Sequence, residues 1–267
     1  MDQQSTSRED WPKLKEQYDT EGYAIFRQVV DADLIKEASQ HIDWLMAKHP
    51  DMRPERLWHT LVVTDPFWVR LVSDPRLLDL AQLFLGPNLA MFASHYIAKP
   101  PFEGMPVLMH QDGSYWPLEP MQVVTLWLAV DYSGPENGCM RVIPGTHKMD
   151  LQAMKGRTDV ANVLDSEIDP ALVDESKIVD LVLQPGDVSV HQPAIIHGSN
   201  ANNSPMRRAG LTIRVIPTST RMLPKPDPWP YALLLRGQAV DNGNVYQPWP
   251  KYVEGEHMPF RGCENWK

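Results

Sequence analysis

The spacing of hydrophobic residues predicts that the first third of the chain is mostly helical. Between residues 34 and 46, apolar side chains recur every three or four positions, which is typical of one buried face of a helix. Asp31 and Asp33 precede this run as candidate N-caps. Asp65 and Asp74 each stand directly before a proline, a common pattern at a helix start, and predict two further helices.

From residue 89 onward the hydrophobic period changes from that of a helix to the alternation of antiparallel strands. The predicted strands are 90–99, 122–132, 139–143, 178–191, 194–197 and 207–216. In the last of these, Leu211 and Ile213 share an apolar face, while Arg208 and Arg214 share the other. One face can pack beneath helices while the other lines a lumen, so the pattern predicts a barrel or jelly roll with a functional interior.

No internal repeat or sharp change of composition divides the chain, so we expect a single domain over residues 1–267. The expected first part is a mostly helical segment, 1–88, which includes the strand 23–27. A β core follows at 89–216, with an acidic excursion at 148–178, and a tail rich in Pro and Trp occupies 217–267. We expect the excursion to be a lid that orders on substrate binding.

Composition and charge exclude several classes of protein. Pro accounts for 25 of the 267 residues, which disfavours a helix bundle. The net charge is −9 and the longest basic run is the pair Arg207–Arg208, so we expect no nucleic-acid partner. No apolar run reaches the ~18 to 20 residues of a membrane span. Two distant cysteines and the lack of a signal-peptide pattern favour a cytoplasmic protein without a membrane partner.

Three His-x-Asp motifs are candidates for a metal site. Those at 41–43 and 49–51 lie in or at the end of the predicted long helix, where residues two apart do not face each other. We therefore interpret both as surface residues. The third motif, His110 and Asp112, lies in the β region, where residues two apart project the same way and can converge on one ion.

His197, at the end of a short apolar strand, is the candidate third ligand. Two histidines and one carboxylate form the facial triad of Fe(II) oxygenases, which leaves positions open for a co-substrate and O₂. Arg208 follows the loop after His197 and is expected to lie beside it on the lumen face. A guanidinium there can hold a carboxylate with two parallel hydrogen bonds, as the distal carboxylate of 2-oxoglutarate requires.

Three stretches around these residues resemble the phytanoyl-CoA dioxygenase family of Fe(II)- and 2-oxoglutarate-dependent oxygenases. They are HQDGSYWPLEP at 110–120, ENGCMRVIPGTHK at 136–148 and HGSNANNSPMRR at 197–208. The resemblance extends from about residue 15 to about residue 216, and it leaves the C-terminal tail without a counterpart. It implies a mainly β fold with flanking helices around a double-stranded β-helix, a jelly-roll and cupin-like core.

The resemblance also implies a role for individual residues. The implied iron ligands are His110, Asp112 and His197, and the implied contacts of 2-oxoglutarate are Arg208, Lys99, Trp127 and Ser199. The candidate substrate contacts are His95, Tyr115, Arg141, Arg214 and His59, each of which has an ordinary structural role as its alternative. The acidic net charge weakly favours a small metabolite or natural-product intermediate over an acyl-CoA.

The function implied is a dioxygenase that uses Fe(II), 2-oxoglutarate and O₂ to hydroxylate an unactivated C–H bond of a small organic substrate, with succinate and CO₂ as co-products. Desaturation, epoxidation and cyclisation remain alternatives, whereas halogenation is disfavoured because Asp112 is present. A different class of protein, a non-catalytic cupin-like binding protein, does not require the complete triad and Arg208, so the presence of all four residues disfavours it. A metal-dependent isomerase or dioxygenase that does not use 2-oxoglutarate does not require Arg208, so Arg208 disfavours that class too.

Overall fold

Helices occupy the first third of the chain and strands follow, as the two hydrophobic periods predict. The computed structural model describes residues 5–224 and 232–266, apart from the side chain of His59. Its α-helices are α1 (Trp11–Glu21), α2 (Ala32–Lys48), α3 (Pro66–Val72) and α4 (Pro75–Leu85). Its strands are β1 (Tyr23–Phe26), β2 (Leu89–Lys99), β3 (Val107–His110), β4 (Leu118–Glu119), β5 (Val124–Ala129), β6 (Met140–Val142), β7 (Lys155–Gly156), β8 (Ser166–Glu167), β9 (Val179–Asp180), β10 (Val188–His191), β11 (His197–Ser199), β12 (Arg208–Pro217), β13 (Arg221–Met222) and β14 (Leu233–Arg236).

Two antiparallel sheets contain most of these strands. The larger sheet has the order β1-β10-β5-β12-β2-β14, and the smaller sheet has the order β3-β11-β6-β9. Residues of both sheets line one cavity, among them Trp127 and Thr212 of the larger sheet and Met140 and His197 of the smaller. The sheets therefore face each other across this cavity, in the manner of a jelly roll.

The helices cover the outer face of the larger sheet. Leu126 of β5 and Ile213 of β12 belong to one buried apolar cluster with Leu34 of α2, Trp68 of α3 and Leu77 of α4. Alternate residues of the same two strands point the other way and line the cavity. The predicted separation of an apolar face from a lumen face is thus confirmed, because side chains alternate strictly along a strand.

Side-chain caps fix where the helices begin. The carboxylate of Asp31 accepts a hydrogen bond from the backbone N–H of Leu34, and that of Asp65 accepts one from Trp68. Asp74 caps α4 in the same way. Each cap satisfies a backbone N–H that has no partner within its helix. Asp31, Asp65 and Asp74 are the predicted caps, whereas Asp33 lies inside the first turn of α2.

One of the other His-x-Asp motifs was interpreted wrongly as surface. His41 of α2 is fully buried, and its ring nitrogens bond the Asp65 carboxylate at 2.9 Å and the Tyr96 hydroxyl at 3.1 Å. The reason is visible in the helical spacing, because His41 follows Ala38 by three positions on the apolar face. Asp43 is exposed on the other face. His41 is therefore a buried structural residue, and it does not belong to the candidate metal centre.

Three strand assignments also need correction. The predicted strand 194–197 is wrong over 194–196, which form a turn, so His197 begins β11 instead of ending a strand. The predicted strand 178–191 is two strands, β9 and β10, separated by a turn in which Gly186 adopts a φ of 90°. Glycine suits that backbone conformation because it lacks a Cβ. The strand β3, which carries His110, did not appear among the predicted segments, since it is short and its apolar residues do not alternate.

The excursion and the tail both pack on the β core. In the excursion, β7 and β8 form a small ladder, and Val163 N–H and Ile168 N–H donate to the carbonyls of Pro106 and Met109 beside β3. In the tail, β14 pairs with β2 at the edge of the larger sheet, and Phe260 joins the main apolar cluster. Among the described residues, no helix is long and apolar enough to cross a lipid bilayer.

Candidate metal centre

Two adjacent strands of the smaller sheet bring three ligating side chains together. His110 ends β3 and is the register partner of His197, which begins β11. Asp112 opens a turn of 3₁₀ helix directly after β3. All three side chains are buried, and their ligating atoms lie within 4.8 Å of one another. In the part of the chain that the structure describes, no other group of three such residues is gathered in this way.

Backbone carbonyls orient both histidine rings. His110 Nδ1 lies 2.8 Å from the carbonyl of Leu108, and His197 Nδ1 lies 3.0 Å from that of Ile195. Because a carbonyl only accepts, Nδ1 must carry the proton in each ring, and Nε2 keeps its lone pair. Metal-binding histidines in proteins are commonly held in this way. The donor set of two Nε2 atoms and one carboxylate fits Fe(II).

Burial and charge also favour the protonation states that a metal needs. Burial and the neighbouring His110 lower the pKa of His197 well below its usual value, which keeps that ring neutral. Burial alone raises the pKa of Asp112, but Arg214 and the surrounding histidines outweigh it and hold that pKa well below its usual value. The site therefore combines a neutral histidine with an ionised carboxylate at neutral pH.

Gln111, between two of these residues, ties their turn to the strand that carries the third. Its side-chain amide donates to the carbonyl of Ala194 at 2.7 Å and accepts from the backbone N–H of Gln152 at 2.8 Å. The N–H of Gly113 donates to the carbonyl of Pro193. Sequence reasoning missed Gln111, because the middle residue of a His-x-Asp motif gives no sign of which backbone groups it will meet.

Arg214 and His191 flank the carboxylate of Asp112. Arg214 Nε lies 3.3 Å from Asp112 Oδ2, and His191 Nε2 lies 3.8 Å from the same oxygen. Arg214 and His191 lie on either side of Thr125 on the inner face of the larger sheet, since both are its register partners. Sequence reasoning placed Arg214 among the candidate substrate contacts. The structure places it against the aspartate of the candidate metal centre.

Arg208 lines the cavity at the end that we call its inner end, and no described Asp or Glu pairs with it. Its Nε and Nη2 donate to the carbonyl of Gly138 at 2.9 and 2.6 Å, and its guanidinium lies 5.3 Å from the ring centroid of Trp127. Among the described residues, no Asp or Glu oxygen forms an ion pair with it, although only 2% of its surface is exposed. Burial lowers the pKa of Arg208 to about 10, so it remains charged at neutral pH.

Lys99 adds a second buried basic group beside Arg208, although Lys99 itself is absent from the lining of the cavity. It is the register partner of Arg208, and its Nζ donates to Ser199 Oγ at 2.7 Å and to the carbonyl of Asn200. Burial and the charge of Arg208 lower the pKa of Lys99 well below its usual value. Because the described hydrogen-bond acceptors of both side chains are neutral oxygens, their charge favours an anion bound beside them.

The glycine of the NGC stretch makes the close approach to Arg208 possible. Gly138 adopts a φ of 76°, and a Cβ at this position would lie 2.5 Å from the carbonyl oxygen of Asn200. Only glycine fits there, so its carbonyl can lie against the Arg208 guanidinium. The resemblance to the NGC motif therefore has a local physical basis in this chain.

The cavity between the sheets, with the open space at its mouth included, has a volume of about 540 Å³, and most of the predicted site residues line it. Its lining includes the three candidate ligands together with Trp127, Ser199, Arg208, His95 and Arg214. A second cavity of about 630 Å³, which we call the outer chamber, adjoins it; Arg56, Trp58, Tyr115, Trp116, Leu164 and Asp165 belong to its lining. The residues that border both cavities are Trp58, His95, Asp112, Val163, Leu164 and Arg214.

Two predicted substrate contacts do not contribute to either cavity in the described structure. Arg141 donates to Asn200 Oδ1 and forms an ion pair with Asp180, and it is absent from the lining of both cavities. The side chain of His59 lies outside the described part of the structure. Sequence reasoning missed Arg56 and Trp58, because they precede the β region and share no motif with it.

Comparison with known proteins gives a family and a fold. The profile of the family described as "Phytanoyl-CoA dioxygenase (PhyH)" matches residues 18–210, which confirms the resemblance. Ectoine dioxygenase of Sphingopyxis alaskensis is 26% identical over 244 residues, 79% of each chain. Phytanoyl-CoA dioxygenase 1 of Oryza sativa subsp. japonica is 29% identical over 176 residues, 66% of this chain and 62% of that protein, so less than two thirds of it is spanned.

Two solved structures share the fold. The non-heme monooxygenase ThoJ in its apo form superimposes with a TM-score of 0.76 at 23% identity, over 94% of this chain and 92% of that one. The epimerase SnoN in complex with Fe3+, alpha ketoglutarate and nogalamycin RO superimposes with a TM-score of 0.68 at 18% identity, over 93% and 98%. The predicted jelly-roll, cupin-like core with flanking helices is confirmed.

Proposed function

Because the chain belongs to the phytanoyl-CoA dioxygenase family, we propose that it is an Fe(II)- and 2-oxoglutarate-dependent dioxygenase that hydroxylates a C–H bond of a small organic molecule, with succinate and CO₂ as co-products. One observation carries this proposal. A buried triad of two histidines and one aspartate and a buried arginine without a carboxylate partner line the same cavity. Such a pair of sites suits a co-substrate that has both a chelating end and a distant carboxylate.

Three residues hold the metal in this proposal. His110 and His197 present Nε2, and Asp112 presents a carboxylate oxygen, which leaves further positions of a six-coordinate ion for small molecules. When bound, Fe(II) supplies the activation of O₂ that the protein side chains cannot provide. Arg214 holds the Asp112 carboxylate in place and in its ionised form. The protein therefore contributes a fixed and correctly protonated set of ligands.

Arg208 and Lys99 receive the distal carboxylate of 2-oxoglutarate in this proposal. A bound carboxylate adds a direct counter-ion to two basic side chains whose hydrogen-bond acceptors in the described structure are neutral oxygens. Trp127 forms the wall beside Arg208 and keeps water from that end of the cavity. A protein that binds only a metal does not require the basic residues Arg208 and Lys99. Their presence therefore favours the 2-oxoglutarate-dependent class over the alternatives without a co-substrate.

The comparisons support the cofactor class rather than one reaction. The relatives named above include an ectoine dioxygenase and a phytanoyl-CoA dioxygenase, and a structure with the same fold is an epimerase that holds Fe3+ and alpha ketoglutarate. We propose hydroxylation because Asp112 completes the ligand set, so that no ligand position is vacated for a halide. Incorporation of one atom of labelled O₂ into the product distinguishes hydroxylation from desaturation, epimerisation and cyclisation.

Anaerobic titration tests the proposal before the substrate is known. Fe(II) and 2-oxoglutarate added together are expected to give the weak visible absorption band of a chelated 2-oxo acid, whereas either one alone is not. Folded protein that binds one Fe(II) but gives no band contradicts the use of 2-oxoglutarate. Folded protein that binds no Fe(II) contradicts the assignment of the metal ligands.

A further inference from the structure

The outer chamber is the space next to the candidate metal centre that the co-substrate end does not occupy. It borders Asp112 on the side of Arg214, whereas Arg208 borders only the inner cavity. Trp58 and Leu164 line both this chamber and the inner cavity, whereas Asp165 of the excursion lines the chamber alone. The chamber is therefore the candidate space for a molecule that is oxidised beside the metal.

The arginines of the outer chamber already have carboxylate partners. Arg56 Nη2 lies 3.1 and 3.0 Å from the two carboxylate oxygens of Asp165, and it also donates to the carbonyl of Asn162. Arg214 is paired with Asp112. Among the described lining residues, these two are the arginines, and no lysine accompanies them. A ligand with several phosphates requires cations that are free to pair with it, and the described chamber has none.

Aromatic rings form the walls of the outer chamber, and their neighbours hold them in place. Trp58 meets the ring of His95 edge to face, with centroids 4.7 Å apart. Trp116 packs against Phe92 at 5.1 Å and lies beneath the guanidinium of Arg214 at 5.4 Å. The hydroxyl of Tyr115 bonds Ser166 of the excursion at 2.7 Å. Flat, preformed aromatic walls favour flat or cyclic ligands, because stacking then costs little conformational entropy.

We propose that the outer chamber binds an uncharged, ring-bearing organic molecule as substrate, and that it does not bind an acyl-CoA thioester. The proposal rests on the proposed function for the identity of the neighbouring centre. Its own support is the combination of aromatic walls with arginines that are already neutralised. Polar substituents of such a ring meet the Arg56–Asp165 pair, which offers both donors and acceptors.

Matched ligands test the charge of the preferred substrate. Calorimetric titration of the anaerobic protein with Fe(II) and 2-oxoglutarate uses 2-naphthamide, which is neutral, 2-naphthoate, its anionic isostere, and decanoyl-CoA. We expect 2-naphthamide to bind at least about tenfold more tightly than the other two, because a buried unpaired anion is costly. Equal or tighter binding of 2-naphthoate or decanoyl-CoA overturns the proposal, and so does the absence of 2-naphthamide binding at millimolar concentration.

A tryptophan variant tests whether the ligand occupies this chamber. Trp58→Ala is expected to weaken 2-naphthamide binding about tenfold, the loss typical of one stacking wall. Trp249→Ala is the control, since Trp249 is also partly exposed but lines neither cavity. Unchanged affinity in folded Trp58→Ala protein contradicts the chamber as the binding site.

A charge variant tests whether Asp165 is what neutralises Arg56. Asp165→Asn keeps the shape of the side chain, and asparagine tolerates the φ of 55° at this position. The released Arg56 is expected to raise the affinity for 2-naphthoate relative to that for 2-naphthamide about fivefold. Asp159→Asn, which removes an exposed partner of Arg157, is the matched control. No gain for 2-naphthoate contradicts the neutralisation argument.

The absorption band separates failure of this inference from failure of the proposed function. If Fe(II) and 2-oxoglutarate give no band, the proposed function fails whatever the naphthyl ligands do. If the band forms but the anionic ligands bind best, the proposed function stands and the inference about the substrate is wrong.

Discussion

Arg208 and Arg214 lie near opposite ends of the inner face of β12, and their surroundings differ in one decisive respect. Both are buried, with 2% and 7% of their surfaces exposed. Arg214 meets the carboxylate of Asp112, whereas the contacts of the Arg208 guanidinium with described residues are the carbonyl of Gly138 and the ring of Trp127. One strand thus carries one arginine in direct contact with a carboxylate and another that, in the described structure, has no such contact.

The difference shows how a buried charge can distinguish a structural role from a binding role. Burying an unpaired cation is unfavourable, and a folded chain tolerates it where a ligand supplies the counter-ion. The position of Lys99 beside Arg208 adds to that unfavourable energy in the ligand-free chain. The paired arginine instead stabilises an internal carboxylate. The proposed functions of the two ends of the cavity follow from this contrast.

The largest expected effect comes from removing the carboxylate that balances Arg214. Asp112→Ala removes the anionic metal ligand and leaves Arg214 as unpaired as Arg208. We expect loss of stoichiometric Fe(II) binding and a loss of succinate production well beyond the ~10- to 100-fold that follows removal of a residue supporting a ligand. Metal analysis and a succinate assay measure both quantities.

Asp51→Ala is the control for this variant, because Asp51 belongs to another His-x-Asp motif and is exposed at the end of α2. It is expected to match the unaltered protein in both assays. Similar losses in Asp51→Ala and Asp112→Ala would mean that the wrong motif has been assigned to the metal.

The next effect tests the unpaired arginine directly. Arg208→Lys keeps a positive charge but loses the planar pair of donors, so the apparent KM for 2-oxoglutarate is expected to rise about ten- to a hundredfold. Titration of 2-oxoglutarate against succinate release measures this change. Arg207→Lys is the control, since Arg207 pairs with Asp131 away from the cavity. A KM that rises equally in both variants argues against a specific carboxylate contact.

Replacement of the paired arginine, Arg214, is expected to change the affinity for Fe(II) and not the KM for 2-oxoglutarate. Arg214→Lys loses the contacts of Nε and Nη2 with Asp112, so Fe(II) affinity is expected to fall about tenfold. The KM for 2-oxoglutarate, measured at saturating Fe(II), is expected to stay nearly unchanged. A larger rise in that KM for Arg214→Lys than for Arg208→Lys would overturn the assignment of the carboxylate anchor.

Side-chain alternation explains why much of the fold and of the cavity could be predicted from the sequence. In β12 the parity of the residues separates Arg208, Thr212 and Arg214 from the apolar face, and the structure shows the same separation. Alternation along a strand is a local property of the backbone, so it needs no knowledge of distant contacts. The helix starts at Asp65 and Asp74 were predictable for the same reason.

Contacts between distant segments account for what the sequence did not reveal. Periodicity placed Arg214 on the inner face, but its partner Asp112 is more than a hundred positions away. The pairing of Arg56 with Asp165 depends on where the excursion folds, which no local pattern encodes. His41 is a different case, because its position on the apolar face of α2 was available from helical spacing and was overlooked.

The smallest expected effect concerns Lys99 and the pH dependence of the inner end. Burial and Arg208 lower the pKa of Lys99, so Lys99 loses its proton before Arg208, whose pKa is about 10. As pH rises through the lowered pKa of Lys99, the KM for 2-oxoglutarate is expected to rise about three- to tenfold, the contribution of one charged contact. In Lys99→Met protein the KM is expected to be raised already at the low-pH end of the titration and to change little as pH rises.

The free energy of unfolding of the ligand-free protein is expected to rise with pH, although the affinity for 2-oxoglutarate falls. Because the pKa of Lys99 is lower in the folded chain than in the unfolded one, the unfolded chain binds more protons between the two values, and the free energy of unfolding rises with pH. Denaturant titration of the ligand-free protein at several pH values measures this slope. Lys99→Met is expected to reduce the slope, and Lys36→Met, at an exposed site on α2, is expected to preserve it. If the KM rises with pH but Lys99→Met leaves the stability slope unchanged, a group other than Lys99 titrates at the inner end.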